Sequence, residues 1–396
     1  MRYQFPSSWS TCSFKEVAEV VTGTTPPTNH PDYYGNSVPF VGPADLGKSE
    51  PIIQSSKWLS DKGAKQARLL PADTVLVCCI GATIGKVGFS GTELVTNQQI
   101  NALVFDQNVI FPRYAFHYCR TLREIFRHYG ASTTLPILPK GRFQELEIPV
   151  PPIAEQKRIA AILDKAEELR SLRRKALVEL DAIVQSIFLE MFGDPEINPK
   201  GWLTGKLQDI TDFQTGYPFS SFKYTTEGEA IKLCRGANVL PGRIDWSDLA
   251  SWSKAHTEAV SNFALQSGDV VMAMDRPWIS EGFKIAQIRQ ADLPAFLVQR
   301  VARLRGKNSD SNPFIFQLLK HPAFTRHCKP TETTIPHISP GDIKTFTFPI
   351  PPLSLQQEFA RRVEAIDRLK ATQRQSLAQL DTLFASLQHR AFQGEL

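Results

Sequence analysis

No stretch of about 18 consecutive apolar residues occurs in the 396-residue sequence, so it holds no candidate membrane-spanning helix. The opening residues MRYQFPSSWS lack the basic-then-apolar pattern of a secretory signal, and a cytoplasmic protein is expected. Cysteine is sparse: Cys12, Cys78, Cys79, Cys119, Cys234 and Cys328 form no C-x-x-C pair. Zinc ribbons, redox motifs and a disulfide framework are disfavoured on that spacing. The vicinal Cys78-Cys79 lies in the apolar run TVLVCCI and reads as small buried side chains. Charge of one sign is scarce as well. Forty-five Lys and Arg against 40 Asp and Glu leave a net +5, which permits a nucleic-acid partner without demanding one.

Catalytic constellations are also missing. The run Gly81-Ala82-Thr83-Ile84-Gly85-Lys86-Val87 has three residues between its glycines and Val where magnesium needs a hydroxyl. A phosphate loop needs four residues there, so a tight turn between strands is expected instead. No G-x-G-x-x-G follows a strand pattern, and no Asn/Asp-Pro-Pro-aromatic tetrad exists for methyl transfer to a base. Neither H-E-x-x-H nor H-x-E with C-x-x-C is present, which leaves zinc hydrolysis and deamination without ligands. Pro31-Asp32 and Asp194-Pro195-Glu196 lack the acidic-x-Lys element of a metal-dependent nuclease. The chain reads as non-catalytic, with no metal site and no cofactor of its own.

What the sequence does have is an internal repeat. PVPPIAEQKRIAAIL from Pro149 is answered by PIPPLSLQQEFARRV from Pro349, an offset of 200 residues. Over residues 149–192, twelve of 44 positions are identical at that offset without a gap, too many in one register for coincidence. Thr133-Thr134-Leu135-Pro136 likewise answers Thr333-Thr334-Ile335-Pro336. Weaker echoes precede these: Trp9, Val17 and Gly23 with Trp202, Ile210 and Gly216, and Gln98-Gln99-Ile100 with Gln299-Arg300-Val301. The chain is two copies of one plan, each a variable block followed by a constant stretch. The expected division is 1–152, 153–194, 195–352 and 353–396.

Each constant stretch reads as one long helix, entered through a Pro-Pro pair and free of proline and glycine until Gly193 or Gly394. Three-four spacing marks a coiled-coil seam through Ile159, Ile162, Ala166, Leu169, Ala176, Leu180, Ile183 and Ile187, interrupted at Arg173. In the second copy the seam runs through Phe359, Ile366, Leu369, Leu380, Leu383 and Leu387, with Gln373 at the polar gap. Full-length antiparallel pairing sets Arg173 beside Gln373 and Ile159 near Leu387. The alternative is two amphipathic helices, each packed on its own block. Short apolar runs (VPFVG, DTVLVCCI, INALVF, VVMAMD, FKIAQI) with helical pieces at Arg113–His128 and Pro313–His327 make the variable blocks mixed α+β.

These residues together resemble the specificity subunit of type I restriction-modification enzymes. The likeness rests on Gly23-Thr24-Thr25-Pro26, Tyr33-Tyr34-Gly35, Pro39-Phe40-Val41, Gly81–Lys86 and Pro151-Pro152-Ile153-Ala154-Glu155-Gln156. In the second half it rests on Gly268-Asp269-Val270-Val271, Met274-Asp275-Arg276-Pro277 and Leu297-Val298-Gln299-Arg300-Val301. Leu355 departs from the pattern where the first copy has Glu155. The resemblance implies two tandem target recognition domains, each reading one half of a split site on double-stranded DNA. It also implies a spacer of paired helices on which modification (methyltransferase) and restriction (motor and nuclease) subunits assemble. S-adenosylmethionine, ATP and Mg would then be bound by those partners. Candidate DNA-contacting residues are Lys57, Lys86, Gln98, Arg235, Arg243, Arg276, Trp278 and His337, types that reach phosphates and base edges. A coiled-coil adaptor with two protein-binding domains, or an enzyme with an unfamiliar site, remains open on sequence alone.

Overall fold

The computed structural model describes residues 5–130, 136–225, 230–254, 257–328 and 336–396. The chain forms two compact units, one of Met1–Lys175 with Arg374–Leu396 and one of Ala176–Gln373. Most of the Thr133–Pro136 and Thr333–Pro336 echo lies outside the described residues.

The first unit contains strands β1 (Ala18–Thr22), β2 (Tyr34–Val41), β3 (Trp58–Leu59), β4 (Leu69–Leu70), β5 (Val75–Cys78), β6 (Val87–Phe89), β7 (Leu94–Thr96) and β8 (Ile100–Phe105). They form two four-stranded sheets, in the orders β1-β8-β5-β6 and β3-β2-β7-β4. The first is antiparallel throughout; in the second, β2 and β7 run parallel. Every residue of β5 is buried, which explains why its sequence is a continuous apolar run rather than an alternation. Val75 and Val77 enter one core with helix α1 (Pro112–Thr121), while Leu76 and Cys78 enter another with Val41 and Leu94 of the second sheet. Helix α2 (Arg123–Gly130) follows after a break at Leu122, so the expected Arg113–His128 helix is two pieces. Cys78 and Cys79 are buried, and burial pushes the Cys79 thiol up to about 12, far from a reactive thiolate.

Helix α3 (Ile153–Phe192) runs 40 residues. Its entry motif has a structural reason. The Pro152 carbonyl accepts from the amides of Glu155 and Gln156, at 2.8 and 3.1 Å. The fully buried Gln156 side chain accepts from the Phe111 amide (2.8 Å) and donates to Pro151 and Val109 carbonyls (2.8 and 2.9 Å). One amide side chain thereby satisfies three backbone groups that burial would otherwise leave unpaired.

The second unit repeats the plan with β9 (Thr211–Thr215), β10 (Ala230–Cys234), β11 (Ser251–Ser253), β12 (Val270–Ala273), β13 (Ile285–Gln287), β14 (Ala295–Leu297) and β15 (Val301–Gly306). Its sheets are ordered β9-β15-β12-β13 and β11-β10-β14, with β10 and β14 parallel. Strand β12 again divides its side chains between two cores, Val270 and Met272 to one, Val271 and Ala273 to the other. Helices α4 (Asn312–Lys320) and α5 (Pro322–Cys328) replace the single expected piece. Helix α6 (Leu353–Ala391) spans 39 residues.

The long helices pack together antiparallel, and ion pairs set their register. In the first unit Arg170 donates to Asp381 at 2.6 Å and Arg173 to Ser376 at 3.2 Å. In the second, Lys370 meets Asp181 at 2.7 Å, the same pair of positions with the two helices exchanged. Arg173 was expected beside Gln373; its Nε reaches Ser376, less than one helical turn along the facing helix, and Arg170 reaches Asp381 beyond it. The buried positions also differ from a narrow seam. Ile159 and Phe359 are fully buried and Ile366 nearly so, while Leu169, Ile183, Leu369 and Leu383 are 38–55% exposed. Ile162, Leu180, Ile187, Leu380 and Leu387 are half-buried. Ala166 of the expected seam is buried, and Leu163, Val184, Phe188 and Phe384, outside it, fill the cores as well. Within each unit the two helix segments pack on one another and on the sheet-bearing part of that unit at once, so the apolar face is wider than, and rotated from, a two-helix seam.

Candidate nucleic-acid interface

In both units the same four segments meet at the end of the central strand. In the first, Cys79 donates its amide to the Gln99 carbonyl (2.7 Å), Leu138 to Cys79 (2.8 Å), Gly81 to Pro136 (2.8 Å) and Cys78 to Lys86 (2.9 Å). In the second, the bonds are Met274 to Arg300 (2.9 Å), Ile338 to Met274 (2.9 Å), Arg276 to Pro336 (2.9 Å) and Ala273 to Lys284 (3.0 Å). Backbone bridges pair Ile80 with Ile137 and Asp275 with His337. This shared frame makes Ile80 the counterpart of Asp275, Gly81 of Arg276, Lys86 of Lys284, Gln99 of Arg300 and Ile137 of His337.

The first-unit turn is no nucleotide cradle. The amides of Ile84, Gly85 and Lys86 are spent on the carbonyls of Gly81, Cys78 and Thr83, so they do not ring a phosphate. What the turn presents is polar and neutral apart from Lys86. Exposed Gln98 accepts from the Thr25 hydroxyl, and half-buried Gln99 accepts from the Asn97 side chain at 2.9 Å. Lys86 is half-buried.

The second-unit turn carries charge. Asp275 is central: its carboxylate accepts from or pairs with His337 Nδ1 at 2.6 Å and meets Arg300 Nε at 3.5 Å. Lys284 is 8% exposed, and among the described residues its ammonium has no hydrogen-bond or ion-pair partner. Burial, then the Arg276 charge, press that ammonium below its ordinary range against the pull of Asp275. Arg276 and Arg300 are both exposed and both hold positive φ, 45° and 68°. Such a backbone costs a non-glycine residue on the order of 1–3 kcal/mol, and Gly81 occupies the counterpart of Arg276 with φ 87°. Three arginine, lysine and histidine types are thus crowded round one carboxylate, an arrangement suited to an anionic partner with base edges to read.

The candidate residues divide accordingly. Lys86 and Gln98 belong to the first turn, Arg276 and His337 to the second. Trp278 stacks on Phe283 at 5.2 Å in the hairpin Trp278–Ile279/Gly282–Phe283, and exposed Arg243 reaches Glu281 of the same hairpin at 3.4 Å. Arg235 is spent inside its own loop, on Asp248 (2.9 Å) and Asn238 (3.4 Å). Lys57 is exposed just before β3, away from the first turn's hydrogen-bonded frame. Sequence reasoning missed Lys284, Arg300 and Asp275 as site residues. The Gln98-Gln99-Ile100 to Gln299-Arg300-Val301 echo was the signal that could have found Arg300.

Elsewhere in the first unit a cavity of about 380 Å³ lies against helix α3, lined by Arg120, Glu167, Arg170 and Arg174 among others. Its charges are already matched. Burial raises the Glu167 carboxyl, but Arg120, Arg170 and Arg174 outweigh it and hold it below its usual range. No helix among the described residues is long and apolar enough to cross a membrane, and no group of three His, Cys, Asp or Glu residues among them could hold a metal ion.

Comparison with known proteins agrees with this architecture. The family described as type I restriction modification DNA specificity domain matches residues 6–181 and again 199–382. The MjaVIII type I restriction enzyme specificity subunit of Methanocaldococcus jannaschii is 26% identical over 328 residues, covering 79% of this chain and 75% of the relative. The MjaIX specificity subunit of the same organism is 25% identical over 390 residues, 92% of this chain and 88% of the relative. In fold, the chain is similar to the type I restriction-modification S subunit from M. genitalium, with TM-score 0.58 at 13% identity over 99% of this chain and 98% of that one.

Proposed function

From the fact that this chain belongs to the type I restriction-modification DNA specificity family, we propose that it gives the complex its address and leaves the chemistry to its partners. It is a specificity subunit with two tandem target recognition domains. In this reading residues 1–152 and 195–352 each read one half of a bipartite site on duplex DNA. Residues 153–194 and 353–396 form the spacer, on which modification and restriction subunits assemble in the cytoplasm. The partners bind S-adenosylmethionine, ATP and Mg; this chain catalyses nothing.

One observation carries the reading: the same backbone frame recurs at the strand ends of both units but presents different side chains, Gln98-Gln99 in one and Arg276 with Arg300 in the other. A repeated frame with changed contents is what two readers of two different half-sites require. An adaptor without DNA function is not favoured, because the family match covers both variable blocks.

The test is genome-wide mapping of methylated bases with and without this gene. One bipartite motif should vanish when the gene is removed and return when it is restored. Persistence of every methylated motif would defeat the proposal. Purified alone, the chain should transfer no methyl group from labelled S-adenosylmethionine to DNA; transfer from homogeneous protein would show that it carries its own site.

A further inference from the structure

We infer that Asp275 is a positioning residue that holds Arg300 to read a guanine in the half-site of the second recognition domain. The inference rests on reading that domain as DNA-binding, and it goes further by naming the base and the residue that meets it.

Three independent features converge on Arg300. Its side chain is 63% exposed, yet its Nε faces the Asp275 carboxylate at 3.5 Å. That contact occupies the inner edge of the guanidinium and leaves both terminal nitrogens without a partner among the described residues. Two parallel N–H donors at the end of a planar fork match the O6 and N7 acceptors of guanine in the major groove. Secondly, the backbone of Arg300 is left-handed, with φ 68°, although a glycine there would relieve it. The conformation is kept by the Met274 amide, which donates to the Arg300 carbonyl. Thirdly, both oxygens of the half-buried Asp275 carboxylate have partners. The oxygen away from Arg300 is engaged by His337 Nδ1 at 2.6 Å, so the carboxylate is fixed from two sides and transmits that fixity to the arginine.

The other basic groups have a different task. Lys284 is buried with no ion-pair partner among the described residues, and Arg276 stands beside it. Both suit the sequence-independent attraction of a phosphate, in which a point charge serves as well as a fork. In the first unit the counterparts of Asp275 and Arg300 are Ile80 and Gln99, so no carboxylate-held arginine exists at that place. A glutamine fork reads adenine instead. The guanine assignment therefore belongs to the second half-site alone.

The experiment uses the chain assembled with its modification subunits, and reads the methylated motif across a genome. R300K keeps the charge and removes the fork. It should lower discrimination for guanine at one position of the second half-site by roughly ten- to a hundredfold and leave the first half-site unchanged. D275N, which keeps the arginine and removes the charge that holds it, should relax the same position. R300Q should move the preference there toward adenine. Two results would overturn the inference while leaving the general function intact: an unaltered motif in R300K and D275N, or uniformly weaker methylation with the same motif, which marks a phosphate contact. Wild-type complex with no bipartite motif at all would instead remove the reading on which the inference stands. Melting curves of R300K and D275N alongside the wild type separate lost folding from lost reading; D275N carries the test if R300K does not fold.

Discussion

Gln156 and Gln356 show how much a single side chain can reveal. Both are identical across the repeat and both are buried, 0% and 4% exposed, which a glutamine tolerates only when its amide is used. Gln156 serves three backbone groups, whereas Gln356 donates to Pro351 at 2.9 Å and its buried Oε1 has no hydrogen-bond partner among the described residues. Replacing Gln156 by Leu strands the Phe111 amide and two carbonyls and should cost about 2–4 kcal/mol. Q356L strands one carbonyl and relieves an orphaned oxygen, so its cost should be about 1 kcal/mol or less. Chemical denaturation of the two variants checks this; equal losses would mean that the motif works alike in both copies. The motif itself was legible in the sequence, but the inequality was not, because the groups that Gln156 satisfies come from Val109 and Phe111, over forty positions away in the chain. Arg300 was hidden for a related reason. Its significance depends on Asp275 being brought beside it by the β12–β15 pairing, and no local pattern announces that.

At the scale of the element, three-four spacing and the Pro-Pro entries located both long helices, while the choice of buried face lay beyond them. Leu169 and Leu369 fit a seam by spacing and are identical in the repeat, yet are 38% and 55% exposed. The decisive contacts are Arg170 with Asp381 and Lys370 with Asp181, ionic pairs that a search for apolar periodicity passes over. Arg170 also lies over the Phe384 ring at 4.4 Å and contacts Glu167 at 2.7 Å, so it is held on three sides and fixes position more firmly than an exposed pair would. Cysteines placed at 170 and 381, with the native cysteines replaced, should crosslink readily under mild oxidation. A 170 and 376 pair should crosslink far more slowly. The reverse order would count against the Arg170–Asp381 pairing.

For the molecule as a whole, duplication is the organising fact, and it makes recognition modular. Strand orders β1-β8-β5-β6 and β9-β15-β12-β13 coincide, while the side chains at their ends differ. Exchanging residues 201–348 for the corresponding block of a relative should change one half of the methylated motif and leave the other as it was. A change in both halves would mean that the two readers are not separable.

The way the units share the chain also bears on the order in which the protein takes shape. The second unit is contiguous, Ala176–Gln373, whereas the first is closed only by Arg374–Leu396, with Phe392 fully buried among Tyr114 and Tyr118. As the ribosome delivers the chain from its N-terminus, every residue of the second unit is in hand before the first receives its final helix. The domain whose synthesis begins first is therefore the one that must wait, its aromatic socket for Phe392 open to water and to chaperones while its twin is already complete.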